Sequence, residues 1–515
     1  MAAPGLRELG RAYRAGALFP SAALADSGRL LRLTSRLNIF VTDSLESAGT
    51  AAAAADARMA EGAALGPLDG VPMAFKDNFC TAGVLTSCAS KMLENFVAPY
   101  SATVVRRAEE QGALLVGKTN LDEFAMGSGT TDSLHGPTRN VWGGGVGYTL
   151  VGPGGEVVGR QEVAEDWVVA GGSSGGSAVS VAAGVVAASL GSDTGGSVRI
   201  PAAWCGVPSL KPTYGRVSRH GLVPLVNSLD CPGILARRVR DVAAVLACLE
   251  GTDPLDSTTV DLPAGRALDV REVAGLRVGV PQEFRCEGMS EEVVEVWSEV
   301  ADLLERGGAE VVPVSLPHTE LAIPCYSVIN PCEVASNMAR YDGLQFGHRA
   351  DVATSTEDLF AETRAQGFNE VVRGRILAGN YFLLKQNYEK YFLQALKVRR
   401  LILEDYLAAW SKVDILLTPV TLTDAPTFAS FTSKDNRQQT AEQDYCTQPI
   451  NLAGLPAATV PVRLSRRGLP LAVQLVGPAM ADVSLLGVAA WLEDRLAFPA
   501  LVVDEEQELE SRGQL

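Results

Sequence analysis

Histidine is scarce in this sequence, with four residues, His135, His220, His318 and His348, among 515. Any histidine-based mechanism must use one of these four, and none stands in a telling local context. The nine cysteines contain no Cys-x-x-Cys pair. An odd count in so long a chain is no disulfide framework, so the chain reads as belonging to a reducing compartment. Positive charge is also short: 44 Lys and Arg stand against 60 Asp and Glu, for a net charge of −16. That balance argues against a surface built to neutralise phosphates, and so against direct nucleic-acid binding as the main task. No metal-ligand pattern and no internal repeat is visible. Residues 167–192 are uncharged throughout, but the first half is glycine and serine and the remainder is too short to cross a bilayer. A buried core helix is the expectation there, and no membrane association.

What the chain does have is apolar material. Hydrophobic residues make up 47%, which is ample for a large core and excludes a disordered chain. Residues 1–60 read as two helices, with Leu30, Leu31, Leu33, Leu37 and Ile39 at helical spacing and an alanine run at 51–55. Arg7, Arg11 and Arg14 share one helical face, which suits either an organelle transit peptide or a surface helix. Short apolar strands are expected at 71–75, 113–116, 413–417, 457–463 and 470–477, and helices at 288–310 and 385–410. Their alternation implies an α/β architecture. Residues 143–166 are glycine-rich and then acidic without sustained periodicity, and read as an exposed, flexible insertion. Residues 251–268 read as a Pro/Asp-rich connection. The expected organisation is an N-terminal helical segment (1–60), one large domain (61–495) and a C-terminal tail (496–515).

Three local patterns carry possible chemistry. Gly112 to Thr119 fits GxxxxGK[ST], but its interior, Ala-Leu-Leu-Val, is itself a strand and cannot offer the row of backbone N–H groups a phosphate loop needs. Gly172-Ser-Ser-Gly-Gly176 fits the GxSxG elbow, with Ser174 as nucleophile, and would require a downstream acid and histidine. A second glycine–serine loop, Gly191-Ser-Asp-Thr-Gly-Gly-Ser197, follows the same small-residue segment, so the two loops can converge. Gly195 and Gly196 leave backbone N–H groups open to approach, as an oxyanion hole requires, and Ser197 stands beside them. A serine needs a base. With histidine unpromising, Lys76 at the end of a buried strand is the alternative, provided burial lowers its pKa. The plainer reading of Lys76 is a strand-end lysine paired with Asp77.

The segment GGSSGGSAVSVAAGVVAASLGSDTGGSVRIPAAWCGVPSLKPTYGRVS resembles the signature of the amidase family, and LDGVPMAFKDNF upstream resembles that family's lysine block. The likeness runs from about residue 20 to residue 490. It implies the amidase-signature fold, a large mixed β-sheet flanked by helices with an N-terminal helical segment. It also implies roles: Ser197 as nucleophile, Ser173 as bridging serine after a cis peptide bond, Lys76 as base, and the N–H groups of Thr194, Gly195 and Gly196 as oxyanion hole. NLDEFAMGSGTTDSLHGPTRN, CEVASNMARYDG and TQPINLAGLPAATVPV resemble one branch, the glutaminase subunits of tRNA-dependent amidotransferases in their animal mitochondrial form. That branch implies glutamine as substrate, with Arg375 on its α-carboxylate, Asp444 on its α-ammonium and Tyr326 lining the pocket. It further implies a heterotrimer with two other subunits in the mitochondrial matrix. Glu-tRNA(Gln) is then held mainly by a partner, and ATP and Mg²⁺ serve the partner's chemistry rather than this chain. A free-standing amidase acting on another small or fatty amide is the alternative.

Overall fold

A computed structural model describes residues 3–143, 145–162, 166–261, 272–351 and 354–504. The strands in chain order are β1 (Phe40–Asp43), β2 (Pro72–Lys76), β3 (Leu114–Thr119), β4 (Tyr148–Val151), β5 (Val157–Gln161), β6 (Ala188–Asp193) and β7 (Ser209–Lys211). They continue as β8 (Cys231–Ala236), β9 (Arg277–Pro281), β10 (Glu310–Val314), β11 (Ile415–Pro419), β12 (Ala457–Leu464), β13 (Pro470–Val476) and β14 (Ala500–Val503). Eleven of them form one mixed sheet in the order β1-β3-β2-β6-β8-β7-β12-β13-β11-β9-β10. The expected fold class is therefore observed. β2 runs parallel to both β3 and β6, with Lys76 opposite Thr119 and Phe75 opposite Leu190. Every residue of β2, β6 and β8 is buried, the signature of central strands covered on both faces.

The flanking helices follow from apolar spacing and capping. Helix Glu291–Arg306 buries Val293, Val296, Trp297, Val300 and Leu304, one face at helical period, and the Ser290 hydroxyl caps it by accepting from Val293 N–H. Helix Glu370–Leu383 is capped by the Asn369 side chain, which accepts from Val372 N–H at 3.0 Å. It packs tightly on helix Ala322–Met338 because Gly379 carries no side chain: a Cβ there would collide with the Pro331 carbonyl and lie 2.8 Å from Ala335 Cβ. That contact holds the first helix, which carries Arg375, against the second, which carries Tyr326 and Asn330.

Three expectations are corrected. The described N-terminal segment contains the helices Leu6–Arg14, Pro20–Leu33 and Leu45–Glu61 rather than two, and also β1, which adds an edge to the main sheet against β3. The stretch 143–166 is not a structureless insertion in its described part. β4 and β5 form an antiparallel pair, and β14 joins β4 on the other side, Val503 opposite Tyr148. Tyr148 and Leu150 point inward and β5 is mostly exposed, so this small sheet has one buried and one open side. Its partner strand lies near the other end of the chain, which local periodicity cannot reveal. For the same reason 496–515 is not simply a tail. Residues 144, 163–165 and 505–515, together with 262–271 of the Pro/Asp-rich connection, lie outside the described residues. Among the described residues no helix is long and apolar enough to cross a membrane. The uncharged stretch 167–192 resolves into helix Gly175–Ala182, buried at all eight residues, followed by β6.

Candidate active site

The site forms at the carboxyl ends of the adjacent parallel strands β2, β3 and β6, where open α/β sheets commonly bind ligands. β2 delivers Lys76, the chain after β3 delivers Asp122, and β6 ends at Asp193 before the loop Thr194–Ser197. Helix Gly175–Ala182 lies against β2 and β6. Its small residues permit this: a Cβ at Gly176 would lie 2.7 Å from the Asn120 backbone. Both glycine–serine loops are thereby drawn together, and Ser174 N–H donates to the Ser197 carbonyl at 3.1 Å.

Lys76 is completely buried. Its Nζ lies 2.7 Å from Ser173 Oγ, 2.9 Å from Ser174 Oγ and 3.0 Å from Ser192 Oγ. The Gly172–Ser173 peptide bond is cis. Asn78 Nδ2 donates to Ser192 Oγ, fixing the floor of this cluster. Burial pushes the Lys76 amine down to about 7, against the opposing pull of Asp122, Asp193 and Asp230. A lysine so placed is neutral in a large share of molecules near pH 7 and can then accept a proton from Ser173. The plainer reading, pairing with Asp77, does not hold, because Asp77 faces Lys118 at 3.2 Å instead. Lys118 itself ends in a buried strand, as expected of a segment that is no phosphate loop.

Ser173 and Ser174 are fully buried, whereas Ser197 is partly exposed. Ser174 Oγ donates to the Ser192 carbonyl at 3.2 Å. No histidine serves it: His135 contacts Ser87, His220 Thr103, His318 Asp405 and His348 Gln366. The elbow arrangement is thus absent. Beside Ser197, the loop is pinned by Asp193, whose carboxylate accepts from Gly196 N–H at 2.9 Å and Val198 N–H at 3.0 Å. Burial raises the Asp193 carboxyl, but the charge and hydrogen bonds of Arg199 outweigh it and bring the group down to about 2. The Gly196 N–H is therefore already taken, which corrects its expected place in the oxyanion hole. Thr194, Gly195 and Ser197 keep N–H groups with no protein acceptor among the described residues. The peptide between Gly195 and Gly196 is held by Thr447 Oγ1, which donates to the Gly195 carbonyl at 2.6 Å. Gly196 has φ 142°, a left-handed value that glycine tolerates.

A second set of side chains converges beyond Gly195. Arg375 donates from Nη1 to Asn330 Oδ1 at 3.2 Å and from Nη2 to Asn436 Oδ1 at 3.0 Å. Asn330 Nδ2 in turn donates to the Tyr326 hydroxyl at 2.8 Å. Two neutral amide oxygens thus orient the guanidinium without cancelling its charge, which leaves it able to take a carboxylate. Within reach of its charge Asp444 is buried, its carboxyl pushed up to about 8 by burial while Arg375 pulls it down. Tyr326 is raised to about 12 by burial, again against Arg375. Asp132, raised to about 7 by burial and by Asp122, also feels Arg375. Tyr326, Arg375 and Asp444 are therefore mutual neighbours. Sequence patterns alone do not reveal Asn330, Asn436, Ser192 or Asn78 as parts of the site. Asn330 stands four residues after Tyr326 on one helix face, the one signal that spacing offered.

A sequence model of the family described as Amidase matches residues 25–146 and 163–486. The chain belongs to the amidase family. The amidase match skips residues 147–162, which is where the β4–β5 hairpin lies. Among curated amidase relatives, the A-subunit of the mitochondrial glutamyl-tRNA(Gln) amidotransferase of Xenopus laevis is 53% identical over 499 residues, covering 96% of this chain and 95% of that one. The protein of the same name from Homo sapiens is 50% identical over 504 residues, covering 97% and 95%. Among solved structures, the glutamyl-tRNA(Gln) amidotransferase A-subunit of Thermotoga maritima superposes with a TM-score of 0.69 at 38% identity, over 85% of this chain and 87% of that one. A structure described as an amidase reaches a TM-score of 0.77 at 31% identity over 96% and 100%.

Proposed function

We propose that this chain is the glutamine-hydrolysing, ammonia-donating subunit of a mitochondrial glutamyl-tRNA(Gln) amidotransferase. The observation that supports the reading is the closeness of Arg375, Asp444 and Tyr326, with Asp444 against the Gly195 loop. A guanidinium and a carboxyl group in one cluster suit the α-carboxylate and α-ammonium of an amino acid, the arriving ammonium favouring the ionised form of Asp444, with Tyr326 lining the pocket. A fatty amide has no use for either charge. The names borne by the curated relatives point the same way.

Neutral Lys76 takes the Ser173 proton as Ser173 takes that of Ser197, and Ser197 Oγ attacks the side-chain carboxamide carbon of glutamine. Negative charge on the former carbonyl oxygen is met by the N–H groups of Thr194, Gly195 and Ser197. The proton returns through Ser173 to the departing nitrogen, which leaves as ammonia, and a γ-glutamyl ester remains on Ser197. Water, deprotonated through the same relay, cleaves the ester to glutamate. The ammonia then passes to a partner subunit of a heterotrimer, where ATP with Mg²⁺ would supply a phosphoryl group to the glutamate of Glu-tRNA(Gln), so that phosphate could leave as the amide forms. The chain's acidity fits a division of labour in which the partner carries most of the tRNA contact. The matrix is the compartment this assignment implies, in keeping with relatives named as mitochondrial.

The test is ammonia release from glutamine, asparagine and a fatty amide by the protein purified with its associated chains, together with conversion of Glu-tRNA(Gln). Glutamine-selective release that vanishes in Ser197→Ala supports the assignment. Release from the fatty amide but not from glutamine overturns it.

A further inference from the structure

Gln448 is completely buried, and neither Oε1 nor Nε2 of its side chain has a hydrogen-bond partner among the described residues. Buried amides are ordinarily satisfied, because an unpaired one forfeits its hydration with nothing in return. This one sits in the site described above. It opens helix Gln448–Ala453, and its own N–H donates to the Asp444 carbonyl at 2.8 Å. A Cβ built on Gly195 would collide with Gln448 Oε1 and lie 3.1 Å from Asp444 Oδ2. Two side-chain oxygens, one of an amide and one of a carboxyl group, therefore converge on a single point of the oxyanion loop. Among the described residues, the hydrogen bond made by the Asp444 carboxylate is a long one, from Ser128 Oγ at 3.4 Å.

An α-ammonium group carries three N–H donors. One carboxylate rarely serves all three, and a second acceptor at its side meets that need. We propose that Gln448 is a specificity-determining residue of the glutamine pocket, whose side-chain oxygen accepts from the substrate's α-ammonium alongside Asp444. The proposal rests on the glutamine reading. A side chain at Gly195 would displace Gln448 Oε1 from its place.

The experiment compares glutamine with glutaramate, its analogue lacking the α-amino group, as ammonia donors for the protein purified with its associated chains. Gln448→Met keeps length and burial but removes both polar ends. It should lower kcat/KM for glutamine about ten- to hundredfold, through KM, while glutaramate changes less than about threefold. Gln448→Asn withdraws the amide by one methylene and should erode the same preference, and it serves if the Met variant does not fold. Equal losses on both donors would show a structural or oxyanion role and overturn the proposal, as would an unchanged preference in either soluble variant. If wild type releases no ammonia from glutamine yet hydrolyses another amide, the glutamine reading fails instead.

Discussion

Lys76 sets the pH at which the site can work. Its amine titrates near 7 rather than near 10.5 because it is wholly buried. At pH 7.5 about three quarters of the molecules then carry a neutral amine, against about one in a thousand for an ordinary lysine. Burial alone thus raises the supply of competent base several hundredfold. The expected profile of kcat/KM for glutamine rises about tenfold per pH unit up to about pH 7 and is flat above it. Lys76→Arg, whose guanidinium stays charged, should lose about a thousandfold or more at every pH. The same burial leaves a mark on stability. Between the folded value near 7 and the unfolded value near 10.5, the unfolded chain binds the extra proton, so stability rises with pH across that window by about 1.4 kcal/mol per unit. Lys76→Met should lack that slope in denaturant melts run at pH 7 to 9. A rate profile that climbs through pH 7 without inflection and continues towards pH 10 would refute the argument, as would an active Lys76→Arg enzyme.

The remaining predictions concern neighbours. Ser174→Ala should stay within about tenfold of wild type in ammonia release, since Lys76 keeps Ser173 and Ser192 as partners, whereas Ser197→Ala should be inactive. Arg375→Lys should raise KM for glutamine about ten- to hundredfold with kcat nearly unchanged, because an ammonium cannot hold both amide oxygens and a carboxylate as a planar fork does. Arg199→Met leaves Asp193 charged and buried, and should cost about 3–5 kcal/mol in urea unfolding. Since the Asp193 carboxyl is held down near 2, its contribution in wild type is present above about pH 4 and lost as pH falls through 2.

The two glycine–serine loops and the lysine strand are legible in the sequence because each is a short motif whose residues act where they stand. What stays hidden there depends on distant parts of the chain. The β4–β5 hairpin looks structureless when read locally because the strand that completes it is β14, at the far end. The hidden floor of the site, Ser192 and Asn78 beneath Lys76, comes from two stretches of chain that meet only in the folded sheet. The claim on the Gly196 N–H by Asp193 is three residues away in sequence, yet nothing in the spacing shows which way that carboxylate turns. Asn436 and Gln448 look like ordinary polar helix starts until burial shows that Asn436 Nδ2 and both ends of Gln448 have no partner among the described residues.

The most direct test of the central claim is to trap the acyl-enzyme. Hydroxylamine added to the protein turning over glutamine should intercept the Ser197 ester and yield γ-glutamyl hydroxamate, at the expense of glutamate while ammonia release continues. The account predicts hydroxamate in wild type and in Ser174→Ala, and none in Ser197→Ala. Hydroxamate from Ser197→Ala at the wild-type rate would place the nucleophile elsewhere and contradict it.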